Sequence, residues 1–171
     1  MPAGWRAMRA DDLTPIMEIA AIVHPGMPED AAVLDERRRL YPAGCFVHGR
    51  AGTVDGYLIS HPWQAFAPPP LNRALGALPV APTTYYVHDL ALHPSVQGRG
   101  VAGPIIRHVV ATLGARTGMS LVAVNGSVGF WARLKFAIVE RPELAAKLAS
   151  YGADARFMAR AHSQRKEAVL F

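Results

Sequence analysis

Only one cysteine, Cys45, occurs in the chain. An internal disulfide is therefore excluded, and a reducing compartment such as the cytoplasm is expected. Long apolar runs are missing as well: none approaches the roughly 20 residues that cross a bilayer. Arg6, Arg9, Asp11 and Asp12 stand where a signal peptide would hold its apolar stretch, which argues against secretion. Repeats and linker-like segments are absent, so the 171 residues are expected to form a single domain over 1–171. No long block of one charge sign appears. The formal charge is +5, but the basic residues are scattered. Their densest cluster, Arg37-Arg38-Arg39, lies among Asp30, Asp35 and Glu36, as on a solvated helix face. That scatter argues against a nucleic-acid partner, whereas a positive field suits an anionic cofactor. No metal is expected.

What is present is a chain that is 51% hydrophobic and 18% charged, a globular composition. Its centre is the stretch Tyr85 to Val110. Tyr85 to Leu92 reads as a buried strand, which His93-Pro94 ends. Ile105, Ile106, Val109, Val110 and Leu113 recur at helical spacing, with Pro104 in the first turn. Between strand and helix lies Gln97-Gly98-Arg99-Gly100-Val101-Ala102. Two glycines and a helix N-terminus make a backbone cradle for phosphate or pyrophosphate, or else an ordinary strand–helix turn. A P-loop is excluded, because Val101-Ala102 stands where Lys-Ser/Thr is required. Gly98, Gly100 and Gly103 match the dinucleotide fingerprint of a Rossmann-type protein literally. That fold also needs an acid about 20 residues on, where this chain has Val124-Asn125.

The segment His93 to Ala102 resembles the acetyl-CoA loop of the GNAT superfamily of N-acetyltransferases, whose pattern falls here on Gln97, Gly100 and Ala102. The resemblance continues upstream through Asp89-Leu90-Ala91-Leu92, and downstream through Val124-Asn125, Phe130-Trp131 and Phe136. It implies an α/β (α+β) fold: a mixed, largely antiparallel sheet splayed in the middle, with helices on both faces. It also implies acetyl-CoA as cosubstrate and, as acceptor in a direct transfer, a primary amine of a small molecule or of a peptide. Leu90, Ala91 and Leu92 would lie along the pantetheine arm, with a backbone amide, that of Leu92, facing the acetyl carbonyl. Gln97, Gly98, Arg99, Gly100, Val101 and Ala102 would hold the pyrophosphate. Asn125 and Ser127 would meet the arm or the phosphates, unless they only cap a helix, and Trp131 is a further cofactor contact or a core residue.

His88 and Asp89 are the candidate bases; strand alternation puts them on opposite faces, so that one of them reaches the site, and a bulge, which the resemblance makes common in this strand, would change which. Two departures from the family pattern matter. Trp131 stands where a tyrosine acid is common, and Lys135-Phe136 replaces Gly-Phe. They leave the general acid unassigned among solvent, Ser127 and Tyr151, and they keep a non-catalytic CoA-binding module as the alternative to an enzyme.

Elsewhere, Asp11 or Asp12 is expected to cap a helix with the apolar face Leu13, Ile16, Met17, Ala20 and Val23. A second helix is predicted from Glu29 to Leu40, and the turn between the two borders the acceptor by resemblance. Cys45–His48 and Gly56–Ser60 read as a strand pair. The proline-rich segment His61 to Thr83 is either a lid facing the substrate or a packed insertion. His61, Trp63, Tyr85 and Tyr86 are candidates for lining the acceptor pocket. The tail SQRKEAVLF is open between an extra strand, a homodimer contact and a loose end.

Overall fold

A computed structural model of the chain describes residues 1–50, 52–113 and 118–161. The tail SQRKEAVLF lies outside the described residues. Among the described residues there are seven strands: β1 (Trp5–Ala7), β2 (Cys45–His48), β3 (Gly56–Trp63), β4 (Thr84–Leu92), β5 (Met119–Ala123), β6 (Ala137–Ile138) and β7 (Arg156–Arg160). They form one sheet in the order β1-β2-β3-β4-β5-β7-β6. Every neighbouring pair is antiparallel except β4 and β5. Among the described residues the five α-helices are α1 (Leu13–Val23), α2 (Ala31–Leu40), α3 (Ala102–Leu113), α4 (Val128–Arg133) and α5 (Ala145–Ala149). The expected mixed, largely antiparallel sheet with helices on both faces is what forms.

Alternation along β2, β3 and β4 sorts the core into two layers. On one face Leu58, Tyr85 and Val87 pack against Ile105, Ile106 and Val109 of α3 and Trp131 of α4. On the other, Val47, Tyr57, Ile59 and Ala91 pack against Ile16 and Ile19 of α1 and Leu34 of α2. The parallel pairing of β4 with β5 runs only from Tyr85↔Met119 to Val87↔Leu121, although β4 continues to Leu92. The sheet is therefore splayed from His88 onward.

Three local expectations are corrected. Asp12 does not cap α1 with its side chain. Its carboxylate instead takes a two-pronged bond from Arg6, at 2.6 and 2.7 Å, and the Arg9 amide at 2.7 Å. Arg38 and Arg39 do pair with Asp35 at the surface, but Arg37 is wholly buried. It reaches under the proline-rich segment and donates to the carbonyls of Val33 and Arg73, both at 3.0 Å. Finally, β3 runs on through His61, Pro62 and Trp63, so the long connection begins at residue 64. That connection is tied to α2 and to the turn before it: Glu29 in the turn accepts from the Asn72 amide, and Glu36 of α2 from the amides of Leu75 and Gly76.

Lys135 closes α4 in the left-handed region, at φ 70°. The Phe136 amide bonds back to the Trp131 carbonyl at 3.1 Å, and the Lys135 amide to Ala132 at 3.0 Å, as in a Schellman ending. A lysine holds this conformation against its Cβ, which glycine lacks. Lys135→Gly should therefore stabilise the fold by about 1 kcal/mol, read from the urea midpoint; an unchanged or lower midpoint would refute the strain.

Candidate active site

Where β4 and β5 part, a cavity of about 510 Å³ opens, and both His88 and Asp89 line it. This corrects the expectation that alternation would separate them. Opposite Ile59 and Ser60 of β3 stand Asp89 and Val87, so His88 is an extra residue in β4. The bulge shifts the alternation by one residue. Tyr85 and Val87 before it, and Leu90 and Leu92 after it, all face the α3 side, while Asp89 and Ala91 face α1 and α2. His88 and Asp89 are thereby brought onto one wall.

Beyond the bulge the backbone of β4 has a partner on one side only. The His93 amide donates to the Asp55 carbonyl at 2.8 Å. In an antiparallel ladder, bonded and outward-pointing residues alternate. Ala91 therefore points its amide at β3, and Leu90 and Leu92 point theirs into the splay. The Leu92 carbonyl, on that same side, accepts from the Gln97 side chain at 2.8 Å. Gln97 thus pins the glycine loop to the end of the strand.

In the loop itself, Gln97 and Arg99 donate their amides to Pro94 and Val96 at 3.3 and 3.4 Å. Among the described residues, the amides of Gly98, Gly100, Val101 and Ala102 meet no acceptor. Gly98 and Gly100 have φ of 72° and 75°, left-handed values that glycine adopts without strain and that let the loop turn sharply. A Cβ at either would meet nothing within 4 Å, so the approach from solvent is open. The Trp5 indole holds the Val101 carbonyl at 3.0 Å and fixes the start of α3. Free amides, an open approach and a helix N-terminus together fit a diphosphate, and the free side of β4 fits an extended arm carrying amides of its own.

Two acid–imidazole pairs occupy the cavity wall. His88 Nε2 lies 2.8 Å from Glu29 Oε2, and His24 Nε2 lies 3.0 Å from Asp89 Oδ1. Asp89 also accepts from the Tyr57 hydroxyl at 2.5 Å. Asn125, left-handed at φ 52°, donates its side-chain amide to the Val23 carbonyl at 3.1 Å and to His24 Nδ1 at 3.0 Å. In the neutral ring those bonds set the His24 proton on Nε2, facing Asp89. Burial opposes charge on Asp89, but the bonds from His24 and Tyr57 outweigh it and hold the carboxyl below the usual aspartate range. Burial likewise opposes charge on Glu29; His88, Arg37 and the Asn72 amide prevail, and its carboxyl also lies low. For His24, burial pulls the pKa down while Asp89 pulls harder, leaving it raised.

His88 differs from His24 in one respect. Its Nε2 is taken by Glu29, while Nδ1 has no hydrogen-bond partner and is not sealed from solvent among the described residues.

Of the other anticipated residues, Leu90, Gln97, Asn125, Ser127 and Trp131 line the cavity, as do Tyr86 and Tyr151. Trp131 is also buried against Phe130 and Phe136. Ser127 makes no capping bond with its side chain. Tyr151 gives its hydroxyl to the Pro69 carbonyl, and burial pushes its pKa up to about 12. Arg99 is exposed at the loop. His61, Trp63 and Tyr85 do not line the cavity. His61 sits behind the rings of Tyr86 and His88, and burial takes its pKa down to about 4. Burial lifts the Cys45 thiol to about 12. Among the described residues no three His, Cys, Asp or Glu side chains cluster as a metal site would, and no helix is long and apolar enough to cross a membrane.

The family model described as the acetyltransferase (GNAT) family matches residues 11–136. No curated protein matches the chain. Solved structures do match. A GNAT-like decarboxylase, GphF, in complex with isobutyryl-CoA has a TM-score of 0.73 at 17% identity, covering 92% of this chain and 98% of its own. An Escherichia coli N-acetyltransferase of a ribosomal-protein alanine has a TM-score of 0.63 at 14% identity, covering 98% of both chains. A GNAT family acetyltransferase from Brucella melitensis in complex with acetyl-CoA has a TM-score of 0.55 at 21% identity, covering 94% of this chain and 88% of its own. At such identities the likeness speaks for the fold.

The two pairs predict how stability depends on pH. Asp89, with its folded pKa depressed, contributes fully above the ordinary aspartate value of about 4, and the contribution drains away as pH falls through the folded value. His24, with its folded pKa raised, contributes below about 6.5 and loses that contribution as pH rises past the folded value. Asp89→Asn should cost about 3 kcal/mol near neutrality and flatten the acid limb of the melting temperature plotted against pH. A variant that keeps the parent's acid limb would contradict the pairing.

Proposed function

Because the chain belongs to the GNAT acetyltransferase family, we propose that it transfers an acetyl group from acetyl-CoA directly to a primary amine. The observation that carries this reading is the free backbone on both sides of Gln97: the outward amides of Leu90 and Leu92, and the unpartnered amides of Gly98, Gly100, Val101 and Ala102. A diphosphate at the loop and a thioester arm along β4 would satisfy donors that the fold otherwise leaves without acceptors. Bound acetyl-CoA supplies an activated acyl carbon.

The chain's own groups supply the rest. The Leu92 amide is the donor for negative charge building on the acetyl oxygen. Glu29 accepts from His88 Nε2, which leaves the Nδ1 lone pair to take the ammonium proton of the acceptor. Arg37, with Nη2 at 4.0 Å from Glu29, keeps that carboxylate charged and in place. Asp89 is the weaker candidate for base, since both of its oxygens already accept bonds. A thiol with a pKa of about 8.5 leaves without strong acid help, so the indole of Trp131 in the tyrosine position is tolerable. Direct transfer is preferred over an acyl-enzyme, because the Cys45 thiol is fully buried and held protonated.

The missing hydroxyl at Trp131 supports a second reading, a module that holds CoA without turnover. Thiol release across an amine panel separates the two: silence despite CoA binding favours the module.

His88→Ala should lower kcat by about 100-fold or more while leaving acetyl-CoA affinity unchanged by calorimetry, with partial recovery at high pH. Unchanged turnover would move the base elsewhere. Gly100→Val places a branched Cβ at φ 75°, a conformation that side chains rarely adopt, and should weaken CoA binding by at least about tenfold through lost loop geometry. Near-normal affinity in that variant would contradict the cradle.

A further inference from the structure

The acceptor end of the cavity is walled by Glu29 and Asp89, whose carboxylates are both held charged. No lysine or arginine lines the cavity among the described residues. Arg37, the nearest cation, is wholly buried behind Glu29 and turned toward the Val33 and Arg73 carbonyls. The two imidazoles facing this end each already serve a carboxylate. Around these groups the wall is apolar or aromatic: Ile22, Val23, Met27, Leu71, Tyr86 and Tyr151. The proline-rich segment straps this end. It is tied to α2 and to the turn before it through Asn72, Leu75 and Gly76, and on its other side to the Tyr151 hydroxyl through the Pro69 carbonyl. An extended chain would have to displace that strap.

Resting on the acetyltransferase reading, we infer that the acceptor is a small primary alkyl- or arylalkylamine without a carboxylate, and neither an amino acid nor a polypeptide. The positive charge near the two carboxylates is already committed to them, His24 to Asp89 and Arg37 to Glu29, so this end favours an ammonium and leaves a second carboxylate no cation of its own to pair with. The rings of Tyr86 and Tyr151 suit an apolar or aromatic body. In the reaction the ammonium gives one proton to His88 Nδ1. Its nitrogen then bonds to the acetyl carbon as the carbon–sulfur bond breaks, and the second proton goes to the departing thiolate. The products are an N-substituted acetamide and free CoA.

The test compares thiol release by the full-length protein with acetyl-CoA and four groups of acceptor: a panel of primary alkyl- and arylalkylamines including phenethylamine, phenylalanine amide, phenylalanine, and a tetrapeptide beginning with phenylalanine. The kcat/KM for the best monoamine should exceed those for phenylalanine and the tetrapeptide by at least about 100-fold, with phenylalanine amide between. Met27→Arg, which places a cation on the half-exposed wall, should raise phenylalanine relative to phenethylamine by at least about tenfold. Comparable rates for phenylalanine or the tetrapeptide would overturn the acceptor class and leave the transferase standing. No turnover with any acceptor, despite acetyl-CoA binding, would overturn the transferase reading and the class with it.

Discussion

A strand that loses its partner halfway along its length is the feature on which the rest of this molecule depends. After Val87 and Leu121 the two parallel central strands separate, and β4 continues to Leu92 with β3 on one side and open space on the other. Buried backbone donors without acceptors are costly, so such an edge persists only where something else pairs with it. Gln97 satisfies one group by reaching back to the Leu92 carbonyl. The outward amides of Leu90 and Leu92 remain, and past the turn stand the free loop amides of Gly98, Gly100, Val101 and Ala102. Between these two groups the amides of His93, Val96 and Gln97 are bonded within the chain, as is that of Arg99 inside the loop.

The bulge at His88 turns this backbone feature into a chemical site. With regular alternation, either His88 or Asp89 would have faced α3. Instead both meet the α1–α2 side, where His24 and Glu29 are waiting. The pairs are not equivalent. His24 is bound at both ring nitrogens and belongs to a chain from Asn125 to Asp89 that joins the end of α1 to both central strands. His88 is bound at one nitrogen only. The first pair is suited to holding the cleft walls in place, and the second to moving a proton.

What could be read in the sequence was what is local in it. The strand, its Pro94 exit, the glycine pair and the helix begun at Ala102 lie within one stretch, where turn chemistry and apolar spacing report directly on the backbone. The bulge is defined by the register against Ile59 and Ser60, which no periodicity within β4 encodes, so that only the family resemblance pointed to one in this strand. His24 and Glu29 were legible only as part of a turn. They lie 65 and 59 residues from their partners, and nothing near them marks them as acid–base groups. Arg37 looks like its neighbours in a basic triplet; only the strap packed over α2 shows that it is buried.

The central claim, that donors left free by the splayed strand and the glycine loop are what grip the ligand, is tested most directly by amide hydrogen exchange with and without CoA. The amides of Leu90, Leu92, Gly98, Gly100, Val101 and Ala102 should exchange rapidly in the free protein and slow sharply when CoA is added. Amides already protected in the free protein, or unchanged while CoA is bound, would contradict the account.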